Sequence, residues 1–242
     1  MANLIVEIGN TALKAALAEG MVLGKTFRYQ GERKIEYILS LVEKEKPEFI
    51  TIASVYPISS QEEDFLRAHF PSVLILDGNH ESPAEYYNLP SYLTYDRGAS
   101  IVAARHLFKG KSCTLIDLGT TLTVDFIDSE GKYIGGNISL GCRTRFKALN
   151  RYTKSLPLVE TPEKIEEYGK SIQSSIESGI ISGIVFEICS YIERYPDNMV
   201  LFTGGDANYF VKQLKKSIFV VCNLVLVGLA IVTDEYVKRN LQ

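Results

Sequence analysis

The chain has little of what marks an exported, metal-caged or membrane-bound protein. Its four cysteines, Cys113, Cys142, Cys189 and Cys222, lie far apart and include no C-x-x-C pair. Such spacing excludes a disulfide framework or a zinc site and leaves reduced, mostly buried thiols. Three histidines, His69, His80 and His106, show no metal-ligand spacing and read as ordinary surface or helix residues. Charge of either sign is scarce in net terms. A balance of −3 and a pI of about 5.7 provide no broad positive field for nucleic acid or an anionic membrane. The basic cluster Arg143, Arg145, Lys147 and Arg151 reads as a solvated helix face. No basic stretch followed by an apolar one opens the chain, and the longest apolar run, Ile218 to Val232, is interrupted by Asn223 and too short to span a bilayer. The expectation is a soluble cytoplasmic protein with no nucleic-acid or membrane partner.

What is present is globular. With 242 residues, 46% of them hydrophobic and 23% charged, the chain suits one large domain or two of ordinary size. Asn3 to Ile8, Ala12 to Glu19 and Met21 to Arg28 read as a strand meander, and Arg33 to Glu45 as a helix ending before Pro47. Phe49 to Val55 and Val73 to Leu76 are strands around a helix at Gln61 to Phe70. A polar loop runs from Asp77 to about Tyr95, and a helix follows from near Asp96. The pattern then restarts with strands at Cys113 to Leu118, Leu122 to Asp128 and Lys132 to Ile138. Helices near Arg143 to Thr153 and Ser171 to Arg194, a strand at Met199 to Thr203 and a helix from Val225 to Arg239 complete it. The stripe Ile176, Ile180, Ile184 and Ile188 belongs to a core or a dimer interface.

Two stretches of the chain match each other. "LIVEIGNTALKA" and "TLIDLGTTLTVD" are each an apolar strand, an acid (Glu7, Asp117), an apolar residue, glycine, a polar residue and threonine, followed by a second strand. Placed near the start of the two halves, they predict a duplicated α/β domain, 1–110 and 111–242, with the turns facing each other across a cleft. Gly9 and Gly119 let the backbone turn sharply and approach a ligand. The N–H groups there, with the hydroxyls of Thr11, Thr120 and Thr121, form a donor pocket suited to phosphate, and Lys14 adds a point charge. An acid beside a phosphate implies a cation between them, and magnesium takes one or two carboxylates plus phosphate oxygens. The plain alternative is a pair of hairpin turns with no ligand. A third glycine turn, "LFTGGDA", runs a strand into Gly204 and Gly205, with Asp206 as a helix N-cap. Together the three turns point to a nucleotide-dependent phosphotransferase of the actin-like kind.

The motifs resemble those of the type III pantothenate kinases, within the superfamily of acetate and sugar kinases, heat-shock ATPases and actin. "EIGNTALK" is similar to that family's D-x-G-N-T-x-x-K turn, and "YNLPSYLTYDR" to its Y-x-x-P…G-x-D-R substrate segment. "DLGTTLTVD" resembles D-x-G-T-A/T-x-T-x-D, and "GKYIGGNISLG" resembles G-x-Y-x-G-G-x-I-x-P-G. Ala148, Leu149, Thr153, Leu156, Pro157 and "TGGDA" continue in order over nearly the whole chain. The resemblance implies two similar RNase H-like/actin-like ATPase domains with mixed sheets flanked by helices, and transfer of the γ-phosphoryl of ATP to the primary hydroxyl of pantothenate on the way to coenzyme A. It makes Asp96 the catalytic base and places Arg97 at the substrate carboxylate. Tyr87, Thr94, Tyr95 and Ile172 fall at the other substrate positions. ATP falls to Glu7, Ile8, Gly9, Asn10, Thr11, Ala12, Leu13, Lys14 and Thr120. Glu7 would hold Mg²⁺ through the phosphates, and Asp117 a monovalent cation, potassium or ammonium. It also implies a homodimer with substrate pockets at the subunit interface.

Three residues depart from the family pattern. Glu7 replaces aspartate, Thr94 replaces the glycine of G-x-D-R, and Ile172 replaces a pantothenate-contacting threonine, whose hydrogen bond is then absent or taken over by Ser171. These departures motivate a non-catalytic nucleotide-binding relative, or a kinase of another small alcohol, as alternatives. The residue-level alternative for Asp96-Arg97 is an N-cap and first-turn residue of the helix that follows.

Overall fold

The computed structural model describes residues 2–80, 87–214 and 216–240. The chain divides into two compact units, Met1–Leu107 with Asn223–Gln242, and Phe108–Cys222. The first unit runs β1 (Asn3–Ile8), β2 (Leu13–Glu19), β3 (Val22–Tyr29), α1 (Lys34–Glu45), β4 (Ile50–Ser54), α2 (Ser60–His69), β5 (Val73–Leu76) and α3 (Tyr95–Leu107). The second runs β6 (Cys113–Leu118), β7 (Thr121–Ile127), β8 (Tyr133–Leu140), α4 (Cys142–Tyr152), α5 (Ile172–Arg194), β9 (Met199–Thr203), α6 (Ala207–Val211) and β10 (Phe219–Val220). The chain then returns to the first unit as α7 (Leu224–Asn240).

Each unit holds a five-stranded mixed sheet, ordered β3-β2-β1-β4-β5 in the first and β8-β7-β6-β9-β10 in the second. The first three strands of each form an antiparallel meander, and the last two add in parallel. The same plan occurs twice, which is the duplication that the two acid-Gly-Thr turns point to. The expected division at 110/111 needs one correction, because α7 packs on the first unit. The expected loop after Asp77 includes residues 81–86, which lie outside those described. Strand β10 was not expected, since two residues carry no readable alternation.

Local rules account for the element ends. Helix α2 opens on a capping box: Ser59 Oγ accepts the Glu62 N–H at 3.3 Å, and the Ser59 N–H donates to Glu62 Oε2 at 2.9 Å. Helix α1 stops where Lys46 enters the left-handed region (φ 50°), just ahead of Pro47. Alternation along β1 divides its side chains between two faces. Leu4, Val6 and Ile8 meet Ile35, Ile38 and Leu41 of α1 and Leu66 of α2. Ile5 and Glu7 lie on the other face. There Thr51, in register with Ile5, bonds Thr233 of α7 through its hydroxyl at 2.7 Å.

The core of the second unit joins Ile116, Leu118, Val124, Phe126 and Phe202 to Phe146 of α4 and to a stripe of α5 isoleucines, Ile176, Ile181, Ile184, Ile188 and Ile192. Ile180 packs against that core partly buried. Among the described residues α5 alone is long and apolar enough to cross a membrane by length and composition, and this stripe is what its apolarity serves here. The basic cluster of α4 is more than a solvated face. Arg145 pairs with Glu187 of α5 and donates to the Leu140 carbonyl at 2.8 Å, tying α4 to α5 and β8.

Candidate active site

The first turn lies between β1 and β2, where the Gly9 N–H donates to the Ala12 carbonyl at 3.0 Å. Glu7 and Lys14 are opposite each other in the strand register, so their side chains meet on one face, with Lys14 Nζ 3.3 Å from Glu7 Oε2. The Glu7 side chain is only 13% exposed. Burial pushes its carboxyl above the usual carboxylate range, the charge and hydrogen bond of Lys14 pull it back, and the charge of Asp96 pushes it further up. Asn10 and Thr11 are exposed at the tip of the turn, whereas Ile8, Ala12 and Leu13 are buried beneath it. Two residues that spacing did not single out border this turn. Tyr56 donates its hydroxyl to Asn10 Oδ1 at 2.9 Å, and Lys34 Nζ lies 3.4 Å from the Gly9 carbonyl.

Asp96 and Arg97 stand in the first turn of α3. Asp96 is the second helical residue and not the N-cap, and its Oδ1 accepts the Arg97 N–H at 2.9 Å. Arg97 is buried, at 8% exposure. Tyr87 donates its hydroxyl to Glu235 of α7 at 2.8 Å, and its carbonyl accepts from Arg105 at 2.6 Å. Burial and then the Glu235 contact drive its phenol far above the ordinary range. Tyr87, Thr94, Tyr95 and Gly98 line an apolar pocket with Leu229 and Val232 of α7. Tyr95, one of the lining residues, donates its hydroxyl to the backbone carbonyl of Asp77. The first unit therefore brings together Glu7, Lys14, Asp96 and Arg97, with Tyr87, Thr94 and Tyr95 around one pocket.

The second turn is built from glycine contacts. The Gly119 N–H donates to the Thr121 carbonyl at 3.0 Å, and the Gly141 N–H to the Thr120 carbonyl at 3.1 Å. A Cβ on Gly141 would stand 2.0 Å from the Gly119 carbonyl oxygen, so only glycine fits there. Gly204 has φ +92°, and a Cβ on it would stand 2.5 Å from both Asp117 Oδ1 and the Leu118 oxygen. Three glycine segments thus close around Asp117 and the exposed Thr120. Asp206 follows, its N–H bonded to the Leu118 carbonyl at 2.9 Å. Burial raises its carboxyl, and Arg143 offsets part of that. It begins α6 without a side-chain capping bond. Ile172 is the first residue of α5 and 63% exposed. Ser171 is its N-cap, its Oγ accepting the Ser174 N–H at 3.1 Å, so this hydroxyl already has a structural partner.

Metal chemistry can be tested on these donor sets. Among the described residues no three His, Cys, Asp or Glu side chains converge as a protein-built cage. A divalent ion shared with phosphates needs only one or two carboxylates, and the buried Glu7, repelled by Asp96, has the character of such a ligand. Asp117 brings a carboxylate, a hard oxygen donor, to the second turn, where Gly119 and Gly204 pass close to it. A further cluster escaped sequence reasoning: Asp77, His80 and Glu63, with His80 Nδ1 2.6 Å from Asp77 and Nε2 3.1 Å from Glu63. The only signal for it was the D-x-x-H spacing directly after a strand.

Paired five-stranded mixed sheets with a repeated acid-Gly-Thr turn define an actin-like ATPase fold of the kind shared by sugar kinases. The solved structures agree in fold. The activator of 2-hydroxyisocaproyl-CoA dehydratase from Clostridium difficile, with bound ADPNP, matches at TM-score 0.60 and 13% identity, covering 100% of this chain and 97% of that one. The ROK hexokinase of Thermus thermophilus matches at TM-score 0.55 and 13% identity, covering 99% and 100%. Sequence narrows the class. The Type III pantothenate kinase profile matches residues 3–194. The enzymes of that name from Phocaeicola vulgatus and Cytophaga hutchinsonii are 39% and 38% identical, each covering 94% of this chain and 96% of the relative. The chain belongs to the type III pantothenate kinase family.

Proposed function

We infer that the protein is an ATP-dependent pantothenate kinase, converting pantothenate to 4'-phosphopantothenate at the entry to coenzyme A synthesis. The observation that carries the reading, beside family membership, is the largely buried Glu7–Lys14 pair at 3.3 Å in the first turn, with the charge of Asp96 acting on Glu7 as a minor contribution. The proposed base and the proposed metal-side acid of the phosphate turn therefore share one neighbourhood of the first unit. Asp96 accepts the proton of the primary hydroxyl as its oxygen bonds the γ-phosphorus and the bond to the β-bridging oxygen breaks, leaving ADP. Arg97 pairs with the pantothenate carboxylate, for which a guanidinium fork is suited. The apolar pocket beside Tyr87, Thr94 and Tyr95 suits the branched hydrocarbon of that substrate.

Gly9 to Lys14 supply N–H groups, hydroxyls and a cation to the ATP phosphates, and Thr120 contributes from the second turn. Glu7 would hold Mg²⁺, directly or through water, and Asp117 a potassium or ammonium ion. Bound there, the divalent metal neutralises charge on the transferring phosphate. The active form is a homodimer, and a cytoplasmic location goes with the metabolic role. A coupled assay with ATP, pantothenate, Mg²⁺ and potassium tests the reading. Turnover is expected from the wild type, and Asp96→Asn should lower kcat by roughly 10²–10⁴-fold with little change in the KM for ATP. No turnover of pantothenate by the folded wild type, or wild-type turnover in Asp96→Asn, overturns it.

A further inference from the structure

Asp77 follows β5 with its side chain fully buried. Its Oδ2 accepts the Ile58 N–H at 2.7 Å, and its Oδ1 accepts the N–H groups of Asn79 at 2.8 Å and His80 at 3.2 Å. His80 Nδ1 lies 2.6 Å from the same Oδ1. On the far side of the ring, Nε2 lies 3.1 Å from Glu63 Oε2, and Glu63 is itself held by Arg67 at 2.7 Å. A carboxylate faces each ring nitrogen, and carboxylates only accept, so the fully bonded form of this ring is the imidazolium.

The charge balance agrees with that geometry. The hydrogen bond to Asp77 raises the His80 pKa, burial opposes it, and Glu63 adds to the rise. Burial works to raise Asp77 but is outweighed by His80 and by the N–H groups of Ile58 and Asn79, so its carboxyl stays below the ordinary range. Among the described residues the charged and titratable groups around the ring are Asp77 at the end of β5 and Glu63 of α2 on its nitrogens, Arg67 of α2 behind Glu63, and Tyr95 of α3 on the backbone of the turn. Tyr95 is where the cluster meets the site. Its hydroxyl donates to the Asp77 carbonyl and lies 3.3 Å from the His80 carbonyl, and the next residue in the chain is Asp96. The turn folded around the His80 ring therefore pins the first residue of the helix that carries Asp96 and Arg97.

We propose that His80 is a positioning residue for the acceptor half of the site: clamped between Asp77 and Glu63, it folds the 77–80 turn that anchors Tyr95 and so fixes where Asp96 and Arg97 stand. This rests on the reading of Asp96 and Arg97 given above. The pH dependence has a definite sign. A histidine raised on folding contributes fully below its unfolded value of 6.5 and loses that contribution as pH rises through the folded value. Asp77, held low, loses its contribution only in acid, as pH falls through a value below 3.8. The clamp is thus closed between the Asp77 range and pH 6.5 and opens as pH rises through the raised His80 value.

With three histidines in the chain, imidazole NMR resolves His80 against His69 and His106. His80 is expected to titrate above the ordinary histidine value of 6.5. His80→Gln, checked for folding by circular dichroism, should lower kcat/KM for pantothenate about tenfold while the KM for ATP stays within about twofold. It should also lack the fall in activity expected of the wild type as pH rises through the His80 value. Amide exchange should quicken several-fold at residues 94–98, where the Gly98 N–H is bonded to the Thr94 carbonyl at 2.9 Å, and not at residues 9–13. Equal losses for both substrates, unchanged exchange at 94–98, or a His80 titrating at or below 6.5 overturns the proposal. Should His80→Gln fail to fold, Tyr95→Phe cuts the same link from the helix side and must give the same acceptor-selective loss. The NMR and exchange readouts need no turnover, so an inactive wild type, which would sink the kinase reading, stays distinguishable from failure of the clamp.

Discussion

The Glu7 carboxylate has an ammonium group at 3.3 Å and is still held above the ordinary range, because burial outweighs Lys14 and Asp96 adds repulsion. An acid raised on folding costs the folded state stability at neutral pH and returns it as pH falls through the raised value. Glu7→Gln is therefore expected to leave the melting temperature of the ligand-free protein unchanged or higher. It also removes the charge offered to a metal on the phosphates, so kcat should fall by at least about 10²-fold. Glu7→Ala should lose most activity as well, whereas Glu7→Asp, one methylene shorter, should keep a substantial part. Calorimetry and the coupled assay check the pair. A Glu7→Gln as active as wild type removes the metal role, and one that melts far below wild type assigns the residue to stability. Glu7, Lys14, Asp96 and Arg97 were legible in the sequence because short spacings carry them. The Glu63–His80–Asp77 cluster was not, since Glu63 and His80 are 17 residues apart on different segments and meet only through folding.

Between elements, the tightest constraint lies where α7 crosses α3. A Cβ on Gly228 would stand 1.9 Å from the Ala99 carbonyl oxygen and 2.4 Å from its carbon, and neither backbone atom can give way without moving its helix. Gly228→Ala should destabilise the protein by about 1–3 kcal/mol, the ordinary cost of overpacking. Because α3 carries Asp96, kcat/KM for pantothenate should fall with it. Gly179 of α5 is the control: it is exposed, with no atom within 4 Å of its Cβ position, so Gly179→Ala should gain about 0.5–1 kcal/mol. Urea denaturation measures both, and a Gly228→Ala as stable as wild type shows that the helices do not press as drawn. Periodicity revealed these helices to within a residue or two. It could not say that α7 packs against α3, because hydrophobic spacing specifies a buried face without naming its partner. The expected division at 110/111 failed for that reason, and Gly228 is the residue that records the true contact.

At the scale of the molecule, the duplicated plan was legible from two turns, whereas how the copies differ at their edges was not. Strand β3 ends the first sheet and β8 ends the second. Beyond Val22 at its start, β3 exposes Lys25, Thr26 and Arg28, the polar and charged residues that keep an edge from pairing with another chain. Its counterpart β8 exposes Ile134, Ile138 and Leu140, at 61%, 60% and 47%; Ile138 and Leu140 are two apart and share a face, and Ile134 stands at a register shift near the start of the strand. Two edges equivalent by topology thus carry opposite surface chemistry. That asymmetry supports the proposed homodimer and makes β8 its proposed seam. Sedimentation equilibrium should find the wild type dimeric at micromolar concentration. Ile134→Glu with Ile138→Glu should make it monomeric with its circular dichroism unchanged, because the row is exposed and supports no core. Lys25→Glu on β3 should leave it dimeric. If the acceptor pocket is completed at the subunit interface, the monomer should lose kcat/KM for pantothenate while still binding ATP. A monomeric wild type, or a double variant still dimeric, removes β8 from the interface, and a fully active monomer shows that one chain holds the whole acceptor site.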